Sequence, residues 1–293
     1  MQIAVLGAGT MGHGIAQVFA MSGHSVRLYD IDEDIVAAGR DRIETNLDRG
    51  IEVGKVSNAA KAATLDNLTT TTDLTDAVDE ASFVIEAVPE EVELKREVLA
   101  RAERDAPTDA IIASNTSSIS ITQLTEDLKR PDQAIGLHFW NPVHLIDFLE
   151  IPLAARTSDK TLAFVRRLVE DDLEFDYEVV NDYPGFASSR LGVALGVEAM
   201  RMVAQGVASP AAIDNVMTKG YNYSIGPLEQ SDLAGLDVRL DILEYLREQH
   251  GERFCPPQIL RRKVQSGKTG QKSGEGFYVW DGDTRLEVSD DHR

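Results

Sequence analysis

The sequence predicts an α/β fold class: a doubly wound, mainly parallel sheet over residues 1–183, followed by an all-α domain over residues 184–293. Three observations carry this. Strand-like apolar runs alternate with amphipathic helix-like runs through the first half, the spacing of right-handed strand–helix–strand crossovers. The character changes after Asp182-Tyr183-Pro184-Gly185, beyond which strand signals vanish until residues 276–280. And 293 residues are about two domains' worth, enough to bury cores without a disulfide or metal staple.

Taken in order, residues 3–6 read as a buried strand stopped by Gly7. Residues 12–21 read as a helix with Ile15, Val18 and Phe19 on one face. A strand follows at 25–29, then a long polar helix at 32–50 and another at 58–65. Strands are expected at 83–88 and 110–114, with a helix at 92–104 between them. Strands at 134–139 and 145–151, separated by a turn at Asn141-Pro142, close the series. In the second domain, helices are expected at 186–205, 209–218, 236–249 and 257–265; Ser209 and Pro210 supply an N-cap and an N1 proline for the second of these. Residues 191–197 form an apolar stretch with small residues, suited either to the domain's own core or to a subunit interface.

Composition narrows the function classes. Forty-nine acids against 29 bases give a formal charge of -20, which repels nucleic-acid backbones and anionic membranes alike. Nine lysines stand against 20 arginines, and a carboxylate surface of this density suits a host rich in salt. Cys255 is the only cysteine, so no intramolecular disulfide and no cysteine-based metal site is expected; this fits a reducing, cytoplasmic setting. The first residues carry no basic stretch or cleavage site of a signal peptide, and no window approaches the length of a membrane span.

Gly7-Ala8-Gly9-Thr10-Met11-Gly12 is a GxGxxG loop between a strand and a helix, the context in which this pattern marks a Rossmann-type dinucleotide site. Gly7 permits the tight turn, Gly9 lets the backbone approach a diphosphate, and Gly12 allows close packing of the helix. The loop, including Thr10 and Met11, presents free N–H groups of the helix N-terminus to the anion. Asp30 lies 18 residues beyond Gly12, at the end of the second strand. A carboxylate there accepts ribose hydroxyls and repels a 2′-phosphate, which selects NAD over NADP. A helix N-cap is the other reading of Asp30, although Asp32 suits that role better.

Ser114-Asn115-Thr116-Ser117-Ser118 ends an apolar strand, where ligands of open α/β sheets sit; its hydroxyls and amide suit a small polar group or a nicotinamide amide, or a capped turn. His138 ends the strand before Asn141-Pro142, and Glu150 follows twelve residues later on the returning strand. That geometry brings the carboxylate back beside the imidazole, which can then take a proton at its other nitrogen. His144 is the rival base. His13 and His24 fit helix-start and loop positions, and His250 and His292 read as surface residues.

GAGTMGHGIAQVFA, VIEAVPEEVELK, SNTSS, GLHFWNPV, LEI, PGF, GYNYSIGPLE and GEGFYVW occur here in the order found in 3-hydroxyacyl-CoA dehydrogenases. The chain resembles that family from end to end, in its monofunctional, short type, with no fused hydratase region. The resemblance implies NAD-dependent oxidation of (S)-3-hydroxyacyl-CoA to 3-oxoacyl-CoA, reversibly. It implies His138 as general base, Glu150 as its orienting partner, Ser117 on the reacting oxygen and Asn141 near the nicotinamide and the reacting group. Glu90, Lys95, Asn115 and Lys272 match cofactor-contacting positions. Ser189 departs from the pattern: an asparagine usually stands immediately before the arginine that is Arg190 here, so a direct contact to substrate or base is expected to run through water. Arg49 and Lys55 are open choices for a coenzyme A contact. Similar members dimerise through the helical domain, so a homodimer is expected. The rival readings are a dehydrogenase of a free hydroxy acid, such as a sugar acid, and a non-catalytic NAD-binding protein.

Overall fold

The computed structural model describes residues 1–289, and the chain divides into two compact units, Met1–Tyr183 and a second beginning at Pro184. In the first unit, β1 (Gln2–Leu6), β2 (Ser25–Tyr29), β3 (Leu68–Thr71), β4 (Phe83–Glu86), β5 (Ile111–Ser114) and β6 (Ala134–Gly136) form one parallel sheet. Their order, β3-β2-β1-β4-β5-β6, reverses between β1 and β4. Crossovers leave in opposite directions at that point, which opens a crevice beyond the carboxyl ends of the two strands.

The connecting helices are α1 (Gly12–Met21), α2 (Glu33–Glu52), α3 (Asn58–Asp66), α4 (Leu74–Val78), α5 (Val92–Asp105), α6 (Ile121–Leu124) and α7 (Asp159–Arg167). Five of these seven begin at a side-chain cap. Asp32 caps α2 by accepting from the Asp34 and Ile35 amides, and Ser57, Asp73, Ser120 and Ser158 cap α3, α4, α6 and α7. Asp30 therefore does not serve as the N-cap. The core is continuous from Ile3 and Val5 of β1 through Ile15 and Phe19 of α1. Phe19 meets Phe83 and Phe139 at ring separations of 6.0 and 6.2 Å.

Several features depart from the expectation, among them the helices α4, α6 and α7, which the sequence pattern did not mark, and the two that follow. The polar run Leu68-Thr69-Thr70-Thr71 is a strand at the sheet edge, where only Leu68 is buried and no apolar alternation marks it. Residues 134–139 are not one strand. β6 ends at Gly136, and β7 (His138–Phe139) opens a second sheet with β8 (Phe148–Leu153) and β9 (Asp176–Asn181), in the order β7-β8-β9. The backbone leaves the edge of β5 here because the Leu137 amide still bonds Ser114 O, whereas the Phe139 amide bonds the Asn115 side chain. Gly136 has no side chain to obstruct the change: a Cβ there would lie 2.7 Å from Pro152 Cδ.

The second unit is mostly helical, with α8 (Ser188–Ala204), α9 (Pro210–Asn215), α10 (Pro227–Ala234), α11 (Leu236–His250) and α12 (Gln258–Gln265). After α9 the chain continues in a wider π-helical turn to Gly220. The exception to an all-helical domain is an antiparallel hairpin, β10 (Tyr278–Asp281) and β11 (Thr284–Val288). Two buried aspartates tie it down. Asp214 accepts from the Leu228 and Glu229 amides, starting α10, and from the Tyr278 hydroxyl at 2.7 Å. Asp232 accepts from the Phe277 and Tyr278 amides and from Trp280 Nε1. Helix α10 escaped the sequence pattern because its first turn is capped by a carboxylate from another helix. Within the stretch 191–197, Val193 and Val197 enter the unit's core and Gly196 is buried, while Leu191 and Ala194 face outward.

Candidate active site

The GxGxxG loop turns out of β1 with Gly7 at φ +108° and its amide bonded to Tyr29 O. Gly12 is required by the loop itself. A Cβ there would sit 1.7 Å from the Gly7 carbonyl oxygen, so no other residue fits. Gly9 is different: a Cβ there would meet nothing within 4 Å. Space is thus left over the loop on the side where the N-terminal amides of α1 emerge, which is the shape and polarity a diphosphate needs. Thr10 and Met11 complete the turn into α1.

Asp30 follows β2 directly. Its Oδ2 accepts from the Ala8 amide at 2.7 Å and its Oδ1 from the Ile31 amide at 2.8 Å. Each carboxylate oxygen has two acceptor sites, so both retain capacity for a ribose hydroxyl. These bonds fix the carboxylate against the loop. The residues present therefore fit a dinucleotide, with Asp30 placed for the adenosine ribose.

His138 and Glu150 pair directly across β7 and β8, and Nδ1 lies 3.2 Å from Glu150 Oε2. Both side chains are buried. Trp140 packs against His138, with ring centroids 4.8 Å apart, and Phe148 packs against Trp140. The serine loop is joined to this pair through Asn115, whose Oδ1 accepts from the Phe139 amide at 2.9 Å. Ser117 is half-buried on the loop after β5, and its amide donates to Glu90 at 3.0 Å. Asn141 is exposed on the turn after Trp140. His144 sits half-buried in a short 3₁₀ turn, with no hydrogen-bonded carboxylate among the described residues. Burial, together with the positive charges of His13 and Arg49, pushes its pKa down, which weakens it as a base.

Lys95 is not a surface lysine. It is buried on α5 and donates to Glu86 Oε1 at 2.7 Å and Val88 O at 3.0 Å, with Glu90 Oε2 at 3.2 Å. Sequence reasoning missed Glu86, the last residue of β4, although a glutamate inside the apolar run Phe83-Val84-Ile85 was the available signal. Asp182 was missed too; it accepts from Ile121 and Thr122 amides and so fixes the start of α6.

The remaining expected residues lie in the second unit. Ser189 is half-buried in the first turn of α8. Lys272 pairs with Asp237 at 2.6 Å. His250 bonds Pro184 O, and His24 pairs with Asp172 at 3.1 Å, so neither is a bare surface group; His292 lies outside the described residues. No helix among the described residues is long and apolar enough to cross a membrane.

Comparison with known proteins agrees with this arrangement. Residues 2–172 match the family of the 3-hydroxyacyl-CoA dehydrogenase NAD binding domain, and residues 185–280 match the C-terminal domain of the same enzymes. A probable 3-hydroxybutyryl-CoA dehydrogenase of Deinococcus radiodurans is 40% identical over 281 residues, covering 96% of this chain and 100% of its own. The crystal structure of FadB2 of M. tuberculosis superposes with a TM-score of 0.92 at 37% identity, over 95% of this chain and 98% of that one. The (S)-3-hydroxybutyryl-CoA dehydrogenase PaaH1 of Ralstonia eutropha gives 0.89 at 37% identity, over 96% and 99%. With a glycine loop ahead of a helix N-terminus, an aspartate fixed against that loop and a paired histidine and glutamate on a chain matched along nearly its whole length, this protein belongs to the 3-hydroxyacyl-CoA dehydrogenase family, NAD-dependent oxidoreductases.

Proposed function

We propose that the chain oxidises (S)-3-hydroxyacyl-CoA to 3-oxoacyl-CoA, reversibly, with short acyl chains as substrates. The observation that carries this is the buried His138–Glu150 pair at 3.2 Å, tied through Asn115 to the loop that bears Ser117. Oxidation at C3 requires the hydroxyl proton to leave as the hydride leaves. His138, held at Nδ1 by Glu150, takes that proton through Nε2. Glu150 stabilises the imidazolium and fixes the ring, as the aspartate does in a Ser-His-Asp triad. Ser117 donates to the oxygen on which charge develops, and Asn141 orients the reacting group. Bound NAD supplies the hydride acceptor; Gly7, Gly9, Thr10, Met11 and Gly12 hold its diphosphate, Asp30 its ribose, and Asn115 and Lys272 contribute further contacts. Ser189 contacts the thioester through water.

The reading extends to setting and assembly. The protein works in the cytoplasm of a salt-rich host, as the -20 charge favours. It forms a homodimer through the second unit, supported by the outward Leu191 and by Val216 and Tyr221, which are exposed by 72%, 59% and 70%. Light scattering on wild type and Leu191→Glu tests the dimer, which the charge is expected to weaken.

Assays with NADH and acetoacetyl-CoA against free acetoacetate test the activity. Turnover of the thioester and not of the free acid is the expected result. Preference for the free acid would establish the hydroxy-acid reading, and no turnover of either would establish a non-catalytic protein.

A further inference from the structure

The pairing of β7 with β8 sets an aromatic pair beside the ion pair. His138 lies opposite Glu150 and Phe139 opposite Leu149, so the chain at Trp140 runs on past Phe148. Side chains alternate along a strand, which puts His138 and Trp140 on one face together with Glu150 and Phe148. The contacts agree. Trp140 meets the His138 imidazole at a centroid separation of 4.8 Å with 35° between the ring planes, and Phe148 backs the indole at 5.2 Å and 50°.

His138 and Glu150 are buried, whereas Trp140 and Phe148 are half-buried. Burial is a poor setting for a base that must become positive during turnover, because loss of water disfavours the charged ring. Glu150 meets that charge at the ring edge, through Nδ1. The indole meets the ring more face to face than edge to face, and well within the roughly 6 Å at which an aromatic face attracts a cation. Tryptophan gives the strongest such attraction among the aromatic side chains, and the attraction grows where water is excluded. Other charges face this pair from a greater remove. β9 registers Glu178 beside Glu150 and Asp176 beside Phe148, both exposed and so screened by solvent. Across the serine loop, Glu90 is paired with Lys95.

We propose that Trp140 is a positioning residue for the reaction: its indole face holds the imidazole and stabilises the imidazolium that His138 becomes as it takes the C3 hydroxyl proton. The inference rests on the reading of His138 as the general base and gives that ring a second partner besides Glu150. The attraction is far weaker for the neutral ring, so it assists the step that creates the charge.

Indole fluorescence supplies the first test. Imidazolium quenches indole emission by accepting an electron from the excited ring, and neutral imidazole does so far less. Trp280, the other tryptophan, contributes to wild type and Trp140→Phe alike, so their difference isolates Trp140. Without substrate or cofactor, that difference is expected to fall as pH is lowered from about 8 to about 5, the range in which histidine titrates. In a His138→Gln background it should not depend on pH.

Stopped-flow hydride transfer across the same range supplies the second test. Trp140→Leu keeps an apolar cover without the aromatic face. It should lower kcat for oxidation about 3- to 30-fold, the span of a desolvated cation–π contact. The acid limb of its rate–pH profile should move down by about 0.5 to 1.5 pH units, because a less stabilised imidazolium gives up its proton at lower pH. KM for the thioester and NADH affinity should change little. Trp140→Phe retains a weaker aromatic face and should fall between the two; it carries the same comparison should the leucine variant fail to fold by circular dichroism. An unmoved acid limb with a raised KM would make Trp140 a wall of the substrate site and overturn the inference. So would an emission difference that is flat with pH. A slow His138→Gln beside a fast Trp140→Leu defeats this inference alone, whereas wild-type turnover in His138→Gln defeats the base assignment as well.

Discussion

His138 and Glu150 occupy directly opposed positions of an antiparallel strand pair, twelve residues apart in the chain and 3.2 Å apart at Nδ1 and Oε2. The strand register, not a flexible loop, sets this contact, so the ring is held before substrate arrives. His138→Gln is expected to lower kcat by about 10²–10⁴-fold, the usual contribution of general acid–base catalysis, with NADH affinity nearly unchanged. Glu150→Gln keeps the shape but not the charge and should also lower kcat. Stopped-flow hydride transfer and cofactor titration measure both. Wild-type turnover in His138→Gln would transfer the role to His144.

The two loop glycines should fail in different ways. Gly12→Ala places a Cβ 1.7 Å from Gly7 O, so the strand–loop–helix turn itself is broken and the variant should melt well below wild type. Gly9→Val meets no protein atom near its Cβ, so folding should survive while NADH affinity is lost. Thermal melts beside NADH titration separate the cases. Retained NADH binding in Gly9→Val would mean that the diphosphate does not lie over this loop.

Asp30 is expected to give a strong preference for NADH over NADPH, since its fixed carboxylate repels a 2′-phosphate. Comparison of the two cofactors in wild type and Asp30→Ala checks this. The alanine variant should lose NADH efficiency and narrow the preference; equal use of both by wild type would refute the assignment.

Stability should carry a mark of Asp232. Burial raises its pKa from 3.8 to about 6, against the Phe277, Trp280 and Tyr278 donors and the Lys263 charge. The folded state thus binds this proton more tightly than the unfolded state. Its contribution is complete below pH 3.8 and is lost as pH rises through about 6. The shift corresponds to about 3 kcal/mol. Asp232→Asn removes the titration and turns a donor toward other donors, so it is destabilised throughout. Denaturant unfolding from pH 4 to 7 should show the gap between wild type and variant narrowing as pH rises. A constant gap would contradict the linkage.

Salt should stabilise the protein. With a charge of -20, screening of carboxylate repulsion outweighs the loss of exposed ion pairs such as Arg27 with Glu80. Melting temperature is expected to rise from low to molar potassium chloride. A value independent of salt would remove the argument for a salt-rich host.

Much of this protein could be read along the chain because the deciding interactions are local. The apolar run before Gly7, the glycine spacing and Asp30 after β2 define a strand–loop–helix–strand unit whose geometry follows from backbone sterics and side-chain period. The histidine and its glutamate were legible because a turn at Asn141-Pro142 between two apolar runs implies a hairpin, and a hairpin pairs residues at a computable distance. What the chain could not reveal depended on partners far away in sequence. The edge strand at Leu68–Thr71 exists because β2 offers it a ladder. Helix α10 starts where Asp214 supplies its cap. Lys95 was expected at a cofactor-contacting position, but its burial over Glu86 could not be read along the chain, because only tertiary structure decides whether a charge meets water or another charge.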